Sequence, residues 1–472
     1  MPVRPPLPTD GDSIVLTRTK ITLGLVATIA CLALGGGALW RLATMAPDRE
    51  RGASLKLLVE VLRQVEENYV EKVERKKLLE GAVNGMLAAL DPHSAYLPPE
   101  PFTEMKVEIS GSFGGLGIEI SLKEGKLTVV SPIEDTPAWR AGIKPGDHIW
   151  KIDGTPTRDL TIVQAVKKMR GERGTKVTLT ILRNGETEPR VFPLVRDIIR
   201  TKSLKARTLE PGYGYVRISH FQERTGADFA TALRNLRAEN GGALKGLVLD
   251  LRNNPGGLLD MAVEVAGRFV GERLDNGLIV YTEGREEFAR RRYSATVGEK
   301  EPRYPLVVLI NSGSASASEI VAGALQDHGR AVIMGTPSFG KGSVQSVVPM
   351  KDGAGLKLTT ALYYTPKGRS IQAKGIIPDI VVKNGELKTM AEDKREDFHE
   401  KDFGNHLGNG EKTPTPEKGA AEKKEKSEKE VKPAQHAMSG LEDDVRKDFQ
   451  LLRALDLLKS WEVLQRVEKK TK

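Results

Sequence analysis

Two short runs of large apolar residues constrain the fold of this 472-residue chain more than any other feature. They occupy residues 247–251 and 306–310, and each is followed by a turn rich in glycine or serine and then by helical periodicity. Such continuous apolar runs are typical of strands that are buried on both faces of a parallel sheet. The sequence therefore predicts stacked β-α units over a block that extends from residue 199 to residue 383.

A second block, residues 102–198, has the pattern of a β-rich module. Residues 117–121 and 176–183 alternate apolar with polar side chains, and residues 160–169 have the pattern of a short helix. Alternation with a period of two indicates half-buried strands. We predict a compact module of strands with one or two helices, whose strand pattern starts near Phe102.

Residues 49–101 form a helical region by pattern. Apolar residues recur every three or four positions in two stretches, and the second stretch ends at Asp91 and Pro92. This periodicity predicts two amphipathic helices, which either pack on the rest of the chain or serve in dimerisation. The apolar positions are Leu55, Leu58, Leu62, Val65 and Tyr69 in the first stretch, and Leu79, Val83, Met86 and Leu90 in the second.

The N-terminal segment, residues 1–48, has the features of an export signal or membrane anchor. Residues 21–40 carry no charge and follow Arg18 and Lys20. An apolar run of this length can span a bilayer as a helix, and a basic flank precedes the apolar part of export signals. We expect an exported protein on the periplasmic side, held by an inner-membrane anchor or released after signal cleavage. The single cysteine, Cys31, excludes an intrachain disulfide and a cysteine metal cluster.

The C-terminal region divides into a charged linker and a last helix. Residues 384–439 are rich in Lys, Glu, Pro, Gly and Thr, which predicts disorder because too little apolar surface can be buried. Residues 440–472 are predicted to be helical, with Leu441, Val445, Phe449 and Leu452 on one face. The net charge of +9 lies largely in Lys-rich stretches that also contain Glu, so it favours a solvated tail over a nucleic-acid surface.

Candidate nucleophiles lie in residues 311–319, at the point where an apolar strand gives way to a helix. A serine at such an elbow is exposed, and the N–H groups of the helix start can stabilise a negative oxygen. Periodicity does not choose among the serines, and helix capping is the alternative role for them. The four candidates are Ser312, Ser314, Ser316 and Ser318.

A serine nucleophile needs a base, and the same block offers His220, His328 and Lys341. A lysine acts as a base only when neutral, which requires its pKa to fall from about 10.4 to about 7–8. Burial supplies such a change, and we expect Phe339 and the flanking glycines to allow close packing there. Gln345 could hold the amine without adding charge.

Residues 335–342 also approach the spacing of a phosphate-binding loop. However, Gly342 stands where that motif needs Ser or Thr, and the residues that follow alternate like a strand. A phosphate-binding loop should open a helix, so nucleotide binding is disfavoured.

Two glycine-rich turns complete the candidate sites. Residues 250–257 end in Gly256 and Gly257, which can bring backbone N–H groups close to a ligand or simply form a turn. Residues 114–117 precede an alternating strand, where such a turn can bind a carboxylate while an extended peptide pairs along the strand.

Together these motifs resemble the carboxyl-terminal processing peptidases, the tail-specific proteases of the S41 family. The resemblance covers residues 53–379 and includes residues 91–94, 114–117, 250–257, 313–319 and 339–342 in order. It implies an α+β multidomain fold with N-terminal helices. A PDZ domain is then inserted before a mixed α/β serine peptidase core of the ClpP/crotonase type.

The resemblance also implies the roles of individual residues. Ser316 corresponds to the nucleophile, Lys341 to the general base and Gln345 to the polar residue that orients the lysine. The backbone N–H groups of Gly257 and Ala317 would form the oxyanion hole. Glu319 matches an acid of the family whose role the sequence does not explain. The peptide-binding loop would comprise Gly114, Gly115, Leu116, Gly117 and Ile118.

We therefore expect an endopeptidase that needs no cofactor or metal and acts on proteins with free apolar C-termini. A homodimer or larger homo-oligomer is expected, an adaptor protein is compatible with the sequence, and nucleic acid is not an expected partner. Two alternatives stay open: a PDZ scaffold with an inactive core, and a hydrolase that uses His328 as its base.

Overall fold

The structure is a computed structural model that describes residues 55–271, 275–296, 298, 300–385 and 447–471. The apolar run at 21–40 and nearly all of the predicted charged linker lie outside these residues. None of the described helices has the length and apolar character needed to cross a membrane. The chain divides into two units, Met1–Pro92 and His93–Lys472.

The first unit contains the two predicted amphipathic helices. Helix α1 covers residues 55–68 and helix α2 covers Arg75–Ala88. An ion pair of 2.5 Å between Arg75 and Glu66 joins them. Much of their apolar surface is exposed, including Leu58, Leu79 and Met86, and so are Tyr69 and Leu90 just after the helix ends.

The second unit begins with a short strand, β1 (Ala95–Leu97), and helix α3 (Pro99–Ser110). The prediction that strands start near Phe102 is therefore wrong. Proline in the first turn is compatible with a helix start, and Gly111 in the left-handed conformation ends the helix. Phe102 is buried and packs against Gly355, where a Cβ atom would lie 2.6 Å from its ring.

The β-rich module folds around one antiparallel sheet in the order β3-β4-β5-β7-β8, with β6 paired to β5. A two-stranded ladder, β2 with β9, leads into and out of the module. Because β3 is the first strand of the sheet, one of its edges is not covered by a strand of that sheet. The strands are β2 (Ser112–Gly115), β3 (Ile118–Lys123), β4 (Lys126–Pro132), β5 (His148–Ile152), β6 (Thr155–Pro156), β7 (Lys176–Leu182), β8 (Arg190–Val195) and β9 (Asp197–Arg200).

Two helices belong to this module, α4 (Pro137–Arg140) and α5 (Ile162–Met169). Helix α5 starts with a capping box in which Thr161 and Gln164 each bond the other's backbone N–H. It packs beside β3 and β5 and contributes Ala165 and Met169 to the core of the module.

The third block, residues 199–383, is built on a six-stranded sheet in the order β10-β11-β12-β15-β16-β19. All neighbouring strands from β11 to β19 are parallel, which confirms the predicted β-α units. The strands are β10 (Leu204–Glu210), β11 (Tyr213–Ile218), β12 (Gly246–Asp250), β15 (Leu306–Ile310), β16 (Val332–Gly335) and β19 (Ile380–Val381).

Helices α6 (Thr225–Glu239), α7 (Leu259–Gly267) and α8 (Ala317–Asp327) contribute to the core on one face of this sheet. A second sheet has the order β1-β18-β13-β14 and pairs β17 with β18. Its other strands are β13 (Leu278–Glu283), β14 (Arg291–Ser294), β17 (Ser343–Pro349) and β18 (Gly355–Tyr364). Two 3₁₀ turns, Asp275–Gly277 and Glu287–Ala289, flank β13.

The last helix, α9 (Phe449–Thr471), packs on the opposite face of the six-stranded sheet. Leu451, Leu455 and Leu458 are buried there with Val248 and Val307 of the parallel strands. The predicted helix is thus present from Phe449 onward, whereas Leu441 and Val445 lie outside the described residues.

Candidate active site

Ser316 lies at the elbow between β15 and α8. It is the residue directly before the helix, with φ 55° and ψ −113°. This conformation is unusual for a residue with a side chain and is characteristic of a strained functional position. The helix places the positive end of its dipole next to Ser316.

The structure distinguishes among the four serines of this segment. The Ser314 hydroxyl donates to the Leu251 carbonyl at 2.8 Å, and the Ser318 hydroxyl donates to the Asn254 carbonyl at 2.9 Å. Both side chains are fully buried and hold the elbow against the loop after β12. Ser316 alone among the four lines the large cavity described next.

One cavity of about 630 Å³ brings the predicted catalytic residues together. It lies between the elbow, the loop after β12 and the start of β17. Lys341 is half-buried at its edge, in the loop between β16 and β17. The residues from the sequence prediction that line it are Ser316, Ala317, Lys341, Gln345 and Gly257.

The buried carboxylate of Glu319 ties the lysine loop to the serine elbow. It accepts the N–H of Ser316 at 2.7 Å and, from the lysine loop, the N–H groups of Gly340 at 2.7 Å and Lys341 at 2.9 Å. The Ser338 hydroxyl donates to it as well, at 2.6 Å. Glu319, whose role the sequence left unexplained, thus accepts hydrogen bonds from both the serine elbow and the lysine loop.

Burial raises the pKa of Glu319, and the four hydrogen bonds from Ser338, Gly340, Ser316 and Lys341 act in the opposite direction. A carboxylate out of water is normally costly, and donors that point at both oxygens offset much of that cost.

Phe339 does not pack over the lysine, contrary to expectation. Its side chain is 62% exposed, and its backbone N–H donates to the Ser314 carbonyl. The close packing comes instead from Gly340 and Gly342, where a Cβ atom would lie 3.1 Å and 2.5 Å from neighbouring backbone nitrogens.

The predicted oxyanion donors are the N–H groups of Gly257, in the loop after β12, and of Ala317, at the start of α8. A parallel bridge joins Phe221 to Gly257 and uses the carbonyl of Gly256 and the N–H of Leu258, so the Gly257 N–H takes no part in it. Ala317 is the first residue of α8, where an N–H group has no partner within the helix. Both residues line the cavity beside Ser316.

Glycine is required in this loop because the backbone comes very close to its neighbours. Gly257 has φ 138°, and a Cβ atom there would lie 2.2 Å from the Phe221 carbonyl oxygen. At Gly256 a Cβ atom would lie 2.8 Å from that of Ser316. The two glycines therefore let the loop approach the elbow.

Gln345 lies on β17 and is held by two hydroxyl groups. Its Nε2 donates to Ser343 at 3.0 Å and to Thr359 at 3.3 Å. The backbone N–H of Thr359 in turn donates to the Ser94 hydroxyl at 3.1 Å. Ser94 belongs to the 91–94 motif, which thereby supports the strand pair that carries Gln345.

Tyr363 was not identified from the sequence. It is buried on β18, and its hydroxyl donates to the Lys341 carbonyl. Burial, followed by the nearby Glu319, raises the pKa of Tyr363 far above its ordinary value, so the phenol is neutral. Its position at a strand end, far along the chain from Ser316, gave no local signal.

The two candidate histidines occupy different places. His328 follows the last residue of α8, and its Nε2 lies 2.7 Å from the Leu278 carbonyl oxygen. An eleven-residue helix separates it from Ser316, a length of about 16 Å, which puts it out of reach. His220 does line the cavity.

The predicted peptide-binding loop connects β2 to β3. Gly117 has φ 76°, and a Cβ atom there would lie 2.4 Å from the Thr136 side chain. The loop carbonyls of Leu116 and Gly117 accept N–H groups of Ala138 and Ile133 at 3.0 Å and 2.9 Å. These bonds fix the loop next to the free edge of β3, beside which α5 packs.

Within the described ranges, no group of three or more His, Cys, Asp or Glu side chains is arranged to hold a metal ion.

Comparisons with known proteins agree with this architecture. Residues 212–382 match the model of peptidase family S41, residues 114–189 match a PDZ domain, and residues 43–100 match the N-terminal domain of the activating protease CtpB.

Curated relatives are similar over most of their length. A carboxy-terminal-processing protease of Bartonella bacilliformis is 50% identical over 324 residues, which is 68% of this chain and 74% of the relative. The carboxy-terminal processing protease CtpB of Bacillus subtilis is 39% identical over 345 residues, which is 72% of this chain and 70% of the relative. A solved structure of a photosystem II D1 C-terminal processing protease is 32% identical, with a TM-score of 0.39, over 70% of this chain and 92% of that one.

The chain thus combines N-terminal helices, a PDZ domain and a mixed α/β peptidase core, in that order. It belongs to peptidase family S41 and is a carboxy-terminal processing serine protease.

Proposed function

We propose that the protein is an endopeptidase that cleaves with a Ser316–Lys341 dyad and selects substrates by their C-termini through its PDZ domain. The observation that carries this proposal is the single cavity lined by Ser316, Lys341, Gln345 and the two predicted oxyanion donors. The Glu319 carboxylate supports it, because one side chain fixes the backbone of both dyad members.

The proposed mechanism is acyl transfer. Neutral Lys341 removes the proton of the Ser316 hydroxyl as the oxygen attacks the substrate carbonyl carbon. The oxyanion that forms is stabilised by the N–H groups of Gly257 and Ala317. The Lys341 ammonium then protonates the leaving nitrogen, and the C–N bond breaks. Water hydrolyses the resulting ester, with Lys341 again as base and Ser316 as leaving group.

The PDZ domain provides an edge for the substrate. A peptide that pairs with β3 would extend the sheet by one strand, with its terminal carboxylate at the loop formed by residues 114–117. Ile118 and Ile120 on β3 and Val166 on α5 are half-buried apolar residues beside that edge. This lining favours substrates whose last residues are apolar.

The uncharged run at 21–40 supports a location outside the cytoplasm, with the N-terminal segment as anchor or cleaved signal. The exposed apolar side chains of α1 and α2 support self-association into a dimer or larger assembly, which would bury them. An adaptor protein that brings substrates is compatible with this arrangement.

The test uses the full-length protein and a reduced, alkylated protein as an unfolded substrate. The wild-type protein should degrade it, whereas Ser316→Ala should leave it intact. Equal loss of substrate in both samples would exclude Ser316 as the nucleophile. An inactive wild-type protein would favour the PDZ scaffold alternative.

The PDZ role is tested with one peptide in two forms, with a free and with an amidated apolar C-terminus. The free form should be cleaved faster at low concentration, because only it carries the terminal carboxylate. Equal rates for the two forms would exclude C-terminal recognition.

A further inference from the structure

Residues at the start of the last helix, α9, form hydrogen bonds with Arg252, which lies in the loop after β12. We propose that Asp448 and Gln450, at the start of α9, are positioning residues for the peptidase reaction, because they fix Arg252 and thereby the loop that carries Gly257. The inference rests on the proposed function, since it assigns to these residues an effect on the oxyanion donor.

Arg252 uses all five of its guanidinium N–H groups. Nε and Nη2 donate to the two oxygens of Asp250 at 3.0 Å and 2.7 Å. Nη1 and Nη2 donate to the two oxygens of Asp448 at 2.9 Å and 2.6 Å. The remaining bond of Nη1 goes to Gln450 Oε1, at 2.9 Å. A guanidinium has five such donors, so its orientation is fully determined.

The environment makes these bonds strong. The Arg252 side chain is 9% exposed and Asp250 is completely buried. Burial alone would lower the pKa of Arg252, but the bonds to Asp448 and Asp250 raise it above its ordinary value. A buried charge that loses one of its partners is costly, because the remaining N–H groups have no water to bind.

The start of α9 is itself firmly held. Asp448 Oδ1 also accepts the N–H of Leu451 at 3.1 Å, in the manner of a helix cap. Gln450 is 2% exposed, and its Nε2 donates to the Val382 carbonyl at 2.7 Å. The buried leucines of the next turns anchor the helix to the parallel sheet. The side chains of Asp448 and Gln450, which accept hydrogen bonds from Arg252, are therefore held in fixed positions.

From Arg252 the chain runs directly into the catalytic loop. Asn254, two residues further on, is completely buried, and its side chain accepts the N–H of Gly256 at 2.9 Å. Its carbonyl accepts the N–H of Ala315 at 2.9 Å and the hydroxyl of Ser318 at 2.9 Å. The same short segment thus sets the positions of Gly257 and of the elbow that carries Ser316.

Small displacements matter at this place. Oxyanion donors act when they lie about 2.7–3.1 Å from the developing charge. A misplacement of about 1 Å can cost about 10²-fold in rate. Loosening Arg252 should therefore lower kcat and leave the binding of the substrate C-terminus at the PDZ domain unchanged.

The test compares Asp448→Asn with Asp456→Asn in the full-length protein. Asp448→Asn keeps the size of the side chain but turns an NH₂ group toward a guanidinium N–H. Asp456 forms an exposed ion pair with Arg453 at 3.2 Å on the same helix and serves as the matched control. kcat and KM are measured with a quenched peptide that has a free apolar C-terminus, and thermal unfolding is followed in parallel.

We expect Asp448→Asn to lower kcat by about tenfold to 10²-fold with KM changed by less than about twofold, whereas Asp456→Asn behaves as wild type. Gln450→Leu, which removes a single acceptor, should show a smaller fall in kcat. An unchanged kcat in Asp448→Asn, with or without a lower unfolding temperature, would overturn the proposal. An equal fall in the Asp456→Asn control would do the same.

A double-mutant cycle tests whether Asp448 acts through Arg252. Arg252→Lys keeps the charge but loses the planar fork, so it should lower kcat as well. The double variant should be no slower than Arg252→Lys alone, since the two changes remove one interaction. Multiplicative losses would contradict the proposal. Lack of activity in the wild-type protein would instead contradict the proposed function.

Discussion

The carboxylate of Glu319 accepts the backbone N–H of Lys341 at 2.9 Å, and this bond connects the first turn of α8 to the loop that carries the proposed base. The same oxygen, Oε2, also accepts the N–H of Ser316. This one oxygen atom therefore accepts the backbone N–H groups of both members of the proposed dyad, Ser316 and Lys341. We infer that the proposed reactive geometry depends on an acceptor that takes no part in the bond changes.

The first prediction concerns Glu319→Gln. The glutamine amide can accept at only one end, and its NH₂ group would face N–H donors that now meet an oxygen. We expect kcat to fall by at least about 10²-fold, because the dyad loops separate, while KM changes little. Steady-state kinetics with a quenched peptide provide the measurement. Activity within a few-fold of wild type would show that the carboxylate does not set this geometry.

Some of this site could be predicted from the sequence, and the reasons for the gaps are physical. The strand–turn–helix patterns predicted the elbow correctly, since they depend on local periodicity. The choice of Ser316 came from family resemblance, because the bonds that occupy Ser314 and Ser318 go to residues more than 60 positions away. Arg252 and Asp448 are 196 residues apart, and no local pattern reports such a contact.

Local patterns also failed where packing overrides them. The predicted start of the strand pattern at Phe102 was wrong, because this residue lies in helix α3, whose first turn accommodates Pro99 and Pro101. Phe339 is a second example, because its side chain is exposed where the sequence predicted close packing. The backbone N–H of Phe339 bonds to the Ser314 carbonyl, a contact that no local pattern reports.

The second prediction distinguishes two candidate bases that line the cavity, Lys341 and His220. Lys341→Ala should reduce kcat by about 10⁴-fold or more, as removal of a catalytic base does in other serine hydrolases. His220→Ala should keep kcat within about tenfold, since a positioning effect is smaller than the loss of a base. The reverse order of effects would identify a Ser–His enzyme. Circular dichroism of both variants checks that they fold.

The third prediction concerns the glycine of the proposed oxyanion hole. In Gly257→Ala the new methyl group would lie 2.2 Å from the Phe221 carbonyl oxygen, at a φ of 138° that alanine rarely adopts. We expect a lower unfolding temperature together with a loss of kcat of about 10²-fold or more, because the loop must move away from Ser316. Gly271→Ala is the control, since a methyl group there meets no atom within 4 Å.

The fourth prediction separates substrate capture from chemistry. In Gly117→Ala the methyl group would overlap the Thr136 side chain at a φ of 76°, so the peptide-binding loop must shift. Cleavage of a peptide with a free apolar C-terminus should fall by about tenfold or more at low concentration through a higher KM. The amidated form of the same peptide should be cleaved at the wild-type rate. An equal effect on both peptides would indicate damage beyond the loop.

The last prediction follows from the pKa of Asp448. Burial would raise this pKa, but the hydrogen bonds from Arg252 outweigh that effect and hold it below its ordinary value. A carboxyl group whose pKa is lower in the folded state stabilises the fold above its unfolded pKa, about 3.9 for Asp, and loses that contribution as the pH falls through the folded pKa. The difference in unfolding temperature between wild type and Asp448→Asn should therefore stay constant from about pH 8 to pH 5 and shrink below about pH 3.9. Calorimetric scans at one heating rate measure it. A difference that changes between pH 6 and pH 8 would mean that another group controls the contact between α9 and the loop after β12.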